Sequence, residues 1–214
     1  PNTVAFFVEP IQGEGGVVVP PDGYLKQAYD ICHDNDVLFI ADEIQTGFGR
    51  TGRLFASEHE GVRPDMITIG KALSGGFYPV SAVLADREIL GLFQPGDHGS
   101  TFGGNPLGAA VARQALQVLI DEDLVARSAK LGAYFKERLA AIDSKYVKEV
   151  RGRGLFIGVE LHVPARRFCE ALRNRGILCK ETHKTVIRFA PPLVITRAEI
   201  DWALDHIEAV LTES

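Results

Sequence analysis

Cysteine, methionine and long apolar runs are all scarce in this chain. Its 214 residues include 3 Cys, 1 Met and 1 Trp. Cys32, Cys169 and Cys179 are scattered, odd in number and without a CxxC spacing, which argues against a disulfide framework or a zinc knuckle. A reducing compartment is therefore expected. No apolar run approaches the ~18 residues that cross a bilayer, and no basic stretch followed by an apolar one opens the chain. The expectation is a soluble protein of the cytoplasm, or of the mitochondrial matrix if eukaryotic. Long runs of one charge are absent too, and with a net charge of -5 there is neither the basic stripe of a nucleic-acid binder nor a polybasic membrane anchor. Internal repeats and low-complexity linkers are also missing. What remains is an ordinary globular composition, 46% hydrophobic and 24% charged, able to bury a core in one large or two small domains. The opening "PNTVAFFVEP" has the composition of a core strand and no initiator Met, so the chain is expected to lack a preceding portion.

The first half alternates apolar strands with amphipathic helices, the pattern of an α/β domain. Strands are expected at Val4 to Val8, Val37 to Ala41, Met66 to Ile69 and Val80 to Ala85, with a helix over residues 24 to 34. The stretch from Gly103 to Ile142 reads as mostly helical, capped by Asn105 with Pro106 in the first turn and broken near "DEDL". After about residue 143 a smaller unit begins. "GLFIGVELHV", "ILCKE" and "TVIRFAPP" read as strands and residues 165 to 175 as a helix. Thr196 and Glu199 form a capping box ahead of the last helix.

Two apolar segments run straight into a charge: "VLFIADEIQTGFGR" into Asp42 and "ITIGKALSGG" into Lys71. A buried, unpaired charge costs several kcal/mol or changes its protonation state, so each charge either reaches water or does chemistry. If the strands are parallel, both residues lie at carboxyl ends, the edge where open α/β sheets bind ligands. A lysine amid Gly70, Ala72, Ser74, Gly75 and Gly76 has an approachable amine suited to forming an imine. An aspartate against an aromatic nitrogen would keep that nitrogen protonated. Together they fit a pyridoxal phosphate (PLP) site. The alternatives are a snorkelling surface lysine and an Asp-Glu pair that only caps the next helix. In "TVIRFAPP", alternation sets Val186, Arg188 and Ala190 on one face and Ile187 and Phe189 on the other. Arg188 is then either an edge-strand residue reaching solvent or a carboxylate clamp. Glu14 in "QGEGG" reads as an exposed turn residue in a flexible loop. Ser100 and Thr101 read as a plain loop before the Asn105 cap. Glu9, Glu43, Arg50, Arg53 and the "RGRG" at 151 to 154 read as structural.

Taken together, "EPIQGEGGVVVP", "LFIADEIQTGFGRTG", "DMITIGKALSGGFYPVSAVLAD" and "HGSTFGGNPLG" resemble the class III, fold type I PLP-dependent aminotransferases over nearly the whole chain. "GFYPVSAVL" and "THKTVIRFAPPLVIT" look most like the ornithine δ-aminotransferase branch. The resemblance implies an α/β fold: residues 1–120 as the carboxyl-terminal part of the PLP-binding large domain, and 121–214 as a small domain with its connecting helix. It implies Lys71 as the Schiff-base lysine and proton shuttle, Asp42 as partner of the pyridinium nitrogen and Gln45 as a contact to the ring hydroxyl. Ser100 and Thr101 match the position where one subunit of a homodimer reaches the phosphate held by its neighbour. Arg188 would clamp the α-carboxylate of glutamate or 2-oxoglutarate, and Glu14 would pair with Arg188 when the donor, ornithine, offers no carboxylate at its reacting carbon. The implied reaction moves the δ-amino group of ornithine to 2-oxoglutarate. The phosphate cradle, the ring-stacking aromatic and the distal recognition residues are not in the quoted motifs. The chain is thus expected to be the carboxyl-terminal half, catalytically silent by itself. An inert fragment, or another ω-aminotransferase of the acetylornithine or 4-aminobutyrate type, stays open.

Overall fold

The computed structural model describes residues 2–212. Contacts divide the chain into two compact units. The first takes Pro20–Phe48 and Leu54–Asp123 with the stretch up to Pro10; the second takes Ile11–Val19, Gly49–Arg53 and the chain from Leu124 onward. Two short segments of the first half of the sequence are therefore built into the second unit.

The first unit is a four-stranded sheet of β1 (Ala5–Val8), β2 (Leu38–Asp42), β3 (Met66–Ile69) and β4 (Ala82–Ala85), in that order. β1, β2 and β3 are parallel, and β4 runs antiparallel to β3. Helix α1 (Tyr24–Asp34) connects β1 to β2 and buries Leu25 and Cys32, seven residues apart on one stripe, against Phe39 and Val62. A short helix, α2 (Arg87–Leu90), follows β4. Helix α3 (Pro106–Asp121) starts where Asn105 Oδ1 accepts from the Gly108 amide at 2.7 Å, with Pro106 at its first position.

Besides its two short earlier segments, the second unit contains α4 (Leu124–Ala140), β5 (Val147–Arg153), β6 (Phe156–Leu161), α5 (Arg166–Asn174), β7 (Lys180–Thr182), β8 (Val186–Phe189) and α6 (Arg197–Thr212). Its sheet is antiparallel, ordered β5-β6-β8-β7. One face carries Ile157, Val159, Ile187 and Phe189 into a core shared with Phe135 and Leu139 of α4, Phe168 and Leu172 of α5, and Ile200, Leu204 and Ile207 of α6. The capping box of α6 is formed: Glu199 Oε2 accepts from the Thr196 amide at 2.7 Å, and the Thr196 hydroxyl accepts from the Glu199 amide at 3.2 Å.

β5 has no counterpart among the strands expected from sequence. Its sequence, VKEVRGR, is mostly charged, and it lies at a sheet edge, where charged side chains protect exposed backbone groups from pairing with other chains. Hydrophobic alternation is not needed there.

Candidate active site

Asp42 closes β2 and is the register partner of Thr68 on the neighbouring parallel strand β3. Its Oδ1 accepts from the Ile44 amide and from the Thr68 hydroxyl, both at 3.1 Å. Among the described residues its Oδ2 takes no hydrogen bond. The carboxylate is thus oriented through one oxygen and open at the other. Glu43, the next residue, is fully buried. It accepts from the Ala56 amide (3.0 Å), the Ser57 amide (2.8 Å) and the Thr46 hydroxyl, and so caps the 3₁₀ turn Ala56–Glu60. Of the adjacent acids, Glu43 is the capping residue and Asp42 is not.

Lys71 lies two residues beyond the end of β3, at the start of a 3₁₀ turn, Lys71–Ser74. Its φ is 40°, a left-handed conformation that side-chain-bearing residues seldom adopt. Strain of this kind persists where the surroundings impose it and is characteristic of functional positions. The side chain is exposed, and among the described residues its amine has no hydrogen bond or ion pair. Asp42 and Lys71 therefore share the carboxyl end of two adjacent parallel strands. Gln45 is half-buried three residues past Asp42. Ser100 and Thr101 are exposed in the loop before α3, where the Ser100 hydroxyl accepts from the Gly103 amide at 3.0 Å.

The second unit holds another cluster. β8 lies between β6 and β7, so Arg188 is not on an edge strand. Its face is the one opposite the core, and its side chain is only 16% exposed. Glu14 meets it there, Oε1 lying 2.6 Å from Arg188 Nη1, while Oε2 lies 3.1 Å from Lys180 Nζ. The Arg188 guanidinium, and after it the Lys180 ammonium, hold the Glu14 carboxyl below the usual carboxylate range.

The loop carrying Glu14 is closed by a pair of backbone hydrogen bonds between Gln12 and Val18, each 3.0 Å. Arg151 of β5 donates to the Gly16 carbonyl at 2.7 Å and to the Val17 carbonyl at 3.2 Å, with Glu149 and Glu160 neutralising it from the strand side. Val17, fully buried and β-branched, is held at a φ of 53°. Gly158, register partner of Arg188 on β6, leaves the space the loop occupies: a Cβ there would lie 3.0 Å from Val17 Cβ and 3.2 Å from the Gly16 oxygen. Arg151, Gly158 and Lys180 carry no sequence signal for these roles, since each acts across a long stretch of chain or across a strand pair. Arg50 donates to the carbonyls of Leu155 (3.0 Å) and Pro191 (2.5 Å), and burial pushes it down to about 10, still a cation at neutral pH.

Residues 1–211 match the aminotransferase class-III family. This chain belongs to that family. It is 62% identical over 211 residues to the ornithine aminotransferase of Brevibacillus brevis, a match covering 99% of this chain and 53% of the relative. The solved acetylornithine aminotransferase of Elizabethkingia anophelis superposes with a TM-score of 0.95 at 49% identity, covering 98% of this chain and 57% of that one. The solved ornithine aminotransferase of Toxoplasma gondii, which has partial occupancy of PLP at its active site, gives 0.94 at 49% identity, with coverages of 97% and 50%. The fold is thus a mixed α/β fold matching ornithine aminotransferase structure over about half its length, and the chain spans about half the length of the curated relatives it matches. Among the described residues of this class-III aminotransferase chain, no group of three or more His, Cys, Asp or Glu could hold a metal ion, and no helix is long and apolar enough to cross a membrane.

Proposed function

We propose that this chain carries the lysine, the ring partner and the carboxylate clamp of a PLP-dependent aminotransferase that moves the δ-amino group of ornithine to 2-oxoglutarate, giving glutamate semialdehyde and glutamate. The Glu14–Arg188 ion pair at 2.6 Å carries the reading of a donor without a carboxylate on its reacting carbon, and the 62% identity to the ornithine aminotransferase of Brevibacillus brevis favours ornithine among such donors. An enzyme whose donor has no carboxylate on the reacting carbon, and whose acceptor has one, needs a guanidinium that is neutralised in one half reaction and free in the other. Glu14 on Arg188 meets that need.

The residues present fit PLP in two respects. Asp42 offers one open carboxylate oxygen, fixed in direction by its other oxygen, which suits a protonated ring nitrogen. Lys71 offers an exposed amine without a competing partner. When bound, PLP supplies an aldehyde that takes up amino groups and a cationic ring that accepts the electron pair of a carbon losing its proton. Asp42 would hold the ring nitrogen in its protonated form, and Gln45 would be placed for the ring hydroxyl. Lys71 would be the residue that holds the cofactor, and its Nζ would serve as the base that takes and returns the proton at the reacting carbon. Arg188 orients the acceptor by a charge-assisted contact to its α-carboxylate. The two units correspond on this reading to the carboxyl-terminal part of a fold type I large domain and to the small domain. Ser100 and Thr101 would serve the phosphate site of the other subunit in a homodimer.

The test compares amino donors with 2-oxoglutarate as acceptor in the assembled holoenzyme. Ornithine should exceed 4-aminobutyrate in kcat/KM by about a hundredfold or more. A preference for N-acetylornithine would instead support the acetylornithine branch, which the TM-score of 0.95 to that enzyme favours as the second reading. No turnover of any ω-amino donor would overturn both.

A further inference from the structure

We propose that Lys180 is the site to which the Glu14 carboxylate withdraws when Arg188 takes the carboxylate of the amino acceptor. This rests on the reading of Arg188 as the clamp and Glu14 as its counter-ion. Lys180 and Arg188 are register partners on the antiparallel strands β7 and β8, so their side chains leave the same face of the sheet side by side. Two cations in that relation repel each other. Glu14 lies against both, one oxygen on each.

The two cations differ in setting. Arg188 is 16% exposed and Lys180 is 60% exposed. Glu14 thus joins a sheltered guanidinium to a wet ammonium. Arg188 has a planar fork shaped for a carboxylate, whereas Lys180 is a point charge on a flexible four-carbon stem. When an acceptor carboxylate reaches Arg188, Glu14 has to surrender the sheltered contact but can keep the exposed one, because the lysine stem can swing outward with it. Without Lys180, the displaced Glu14, 58% exposed, would be held by water alone beside the incoming anion, and it would return to Arg188 and compete more often. Lys180 therefore favours the open clamp. With a donor that leaves Arg188 unused, Glu14 stays in place and Lys180 adds nothing.

Lys180 is a positioning residue on this account, and its signature is an asymmetry between half reactions. The experiment measures them separately in the holoenzyme for Lys180→Met, Lys180→Arg and Arg188→Met, together with the binding of glutarate as an unreactive dicarboxylate. Lys180→Met should raise the half-saturating 2-oxoglutarate concentration and the glutarate dissociation constant by about two- to fivefold, the range of an exposed ion pair. Its limiting rate and its ornithine half reaction should not change, and Lys180→Arg should restore the parent values. Equal shifts for ornithine and 2-oxoglutarate, no shift in either, or no rescue by arginine would overturn the proposal. Arg188→Met separates the layers. If it weakens acceptor binding while Lys180→Met does not, the Lys180 role alone falls; if it has no effect on the acceptor, the clamp reading falls and the Lys180 role with it.

Discussion

Gly158 and Arg188 are register partners on neighbouring strands, and the missing side chain at Gly158 is what lets the Gly16–Val17 loop lie on the sheet beside Arg188. Gly158→Ala would set a Cβ 3.0 Å from Val17 Cβ and 3.2 Å from the Gly16 oxygen. Neither neighbour is the loose end of a flexible side chain. Overpacking of this kind costs about 1 to 3 kcal/mol. Chemical denaturation should register that loss, and the half-saturating 2-oxoglutarate concentration should change because the loop that holds Glu14 has shifted. A variant with parent stability and parent kinetics would show that the loop does not depend on Gly158.

The Glu14 carboxyl is held below the ordinary carboxylate range, first by Arg188 and then by Lys180. A carboxylate whose folded value is depressed contributes stability that is present above its unfolded value and lost as pH falls through the folded one. The ion pair should therefore persist unchanged between about pH 5 and 8 and open only on the acid side. Carbon-detected NMR of the Glu14 carboxyl checks this. Its midpoint should lie below that of an unstructured glutamate and rise more in Arg188→Met than in Lys180→Met. A midpoint at or above the ordinary value would mean that the pair is not the resting state.

Asp42→Asn keeps a group that can accept through its oxygen from the Ile44 amide and the Thr68 hydroxyl but removes the charge at the open position. Turnover should fall by at least about a hundredfold, since charge stabilisation by one well-placed group is commonly of that size. Cofactor retention, followed by absorbance after gel filtration, should change far less. Equal turnover in variant and parent would remove Asp42 from the chemistry.

Glu43 predicts a different pattern. Glu43→Ala strands the amides of Ala56 and Ser57 and the Thr46 hydroxyl in a buried place. Each unsatisfied group costs roughly 1 to 3 kcal/mol. A large drop in unfolding free energy should appear without any specific change in substrate preference. A variant as stable as the parent would show that Glu43 does not hold the turn.

The elements written locally were legible in the sequence. Helix α6 could be read from Thr196, Glu199 and the spacing of Ile200, Leu204, Ile207 and Leu211, because a capping box and a buried stripe are local features. The break at 121 to 124 between α3 and α4 was legible for the same reason. β5 was not, because a charged edge strand has no hydrophobic period. The order of strands around β8 was equally hidden, so the sequence could not decide whether Arg188 stood at an edge. Arg151 bonds a loop 135 residues away, and Glu14 meets Arg188 across 174 residues. Such pairings have no local pattern, and only the resemblance to a family brought Glu14 and Arg188 together beforehand. The left-handed backbone at Val17 and Lys71 is opposed by intrinsic preference, so propensity points away from it.

Trapping tests most directly whether Lys71 is the covalent anchor of the cofactor. The holoenzyme is reduced with borohydride, digested and mapped by mass spectrometry. A reduced pyridoxyl group is expected on the peptide containing Lys71, at that residue, and is expected to disappear in Lys71→Ala. Stoichiometric label on any other lysine would contradict it.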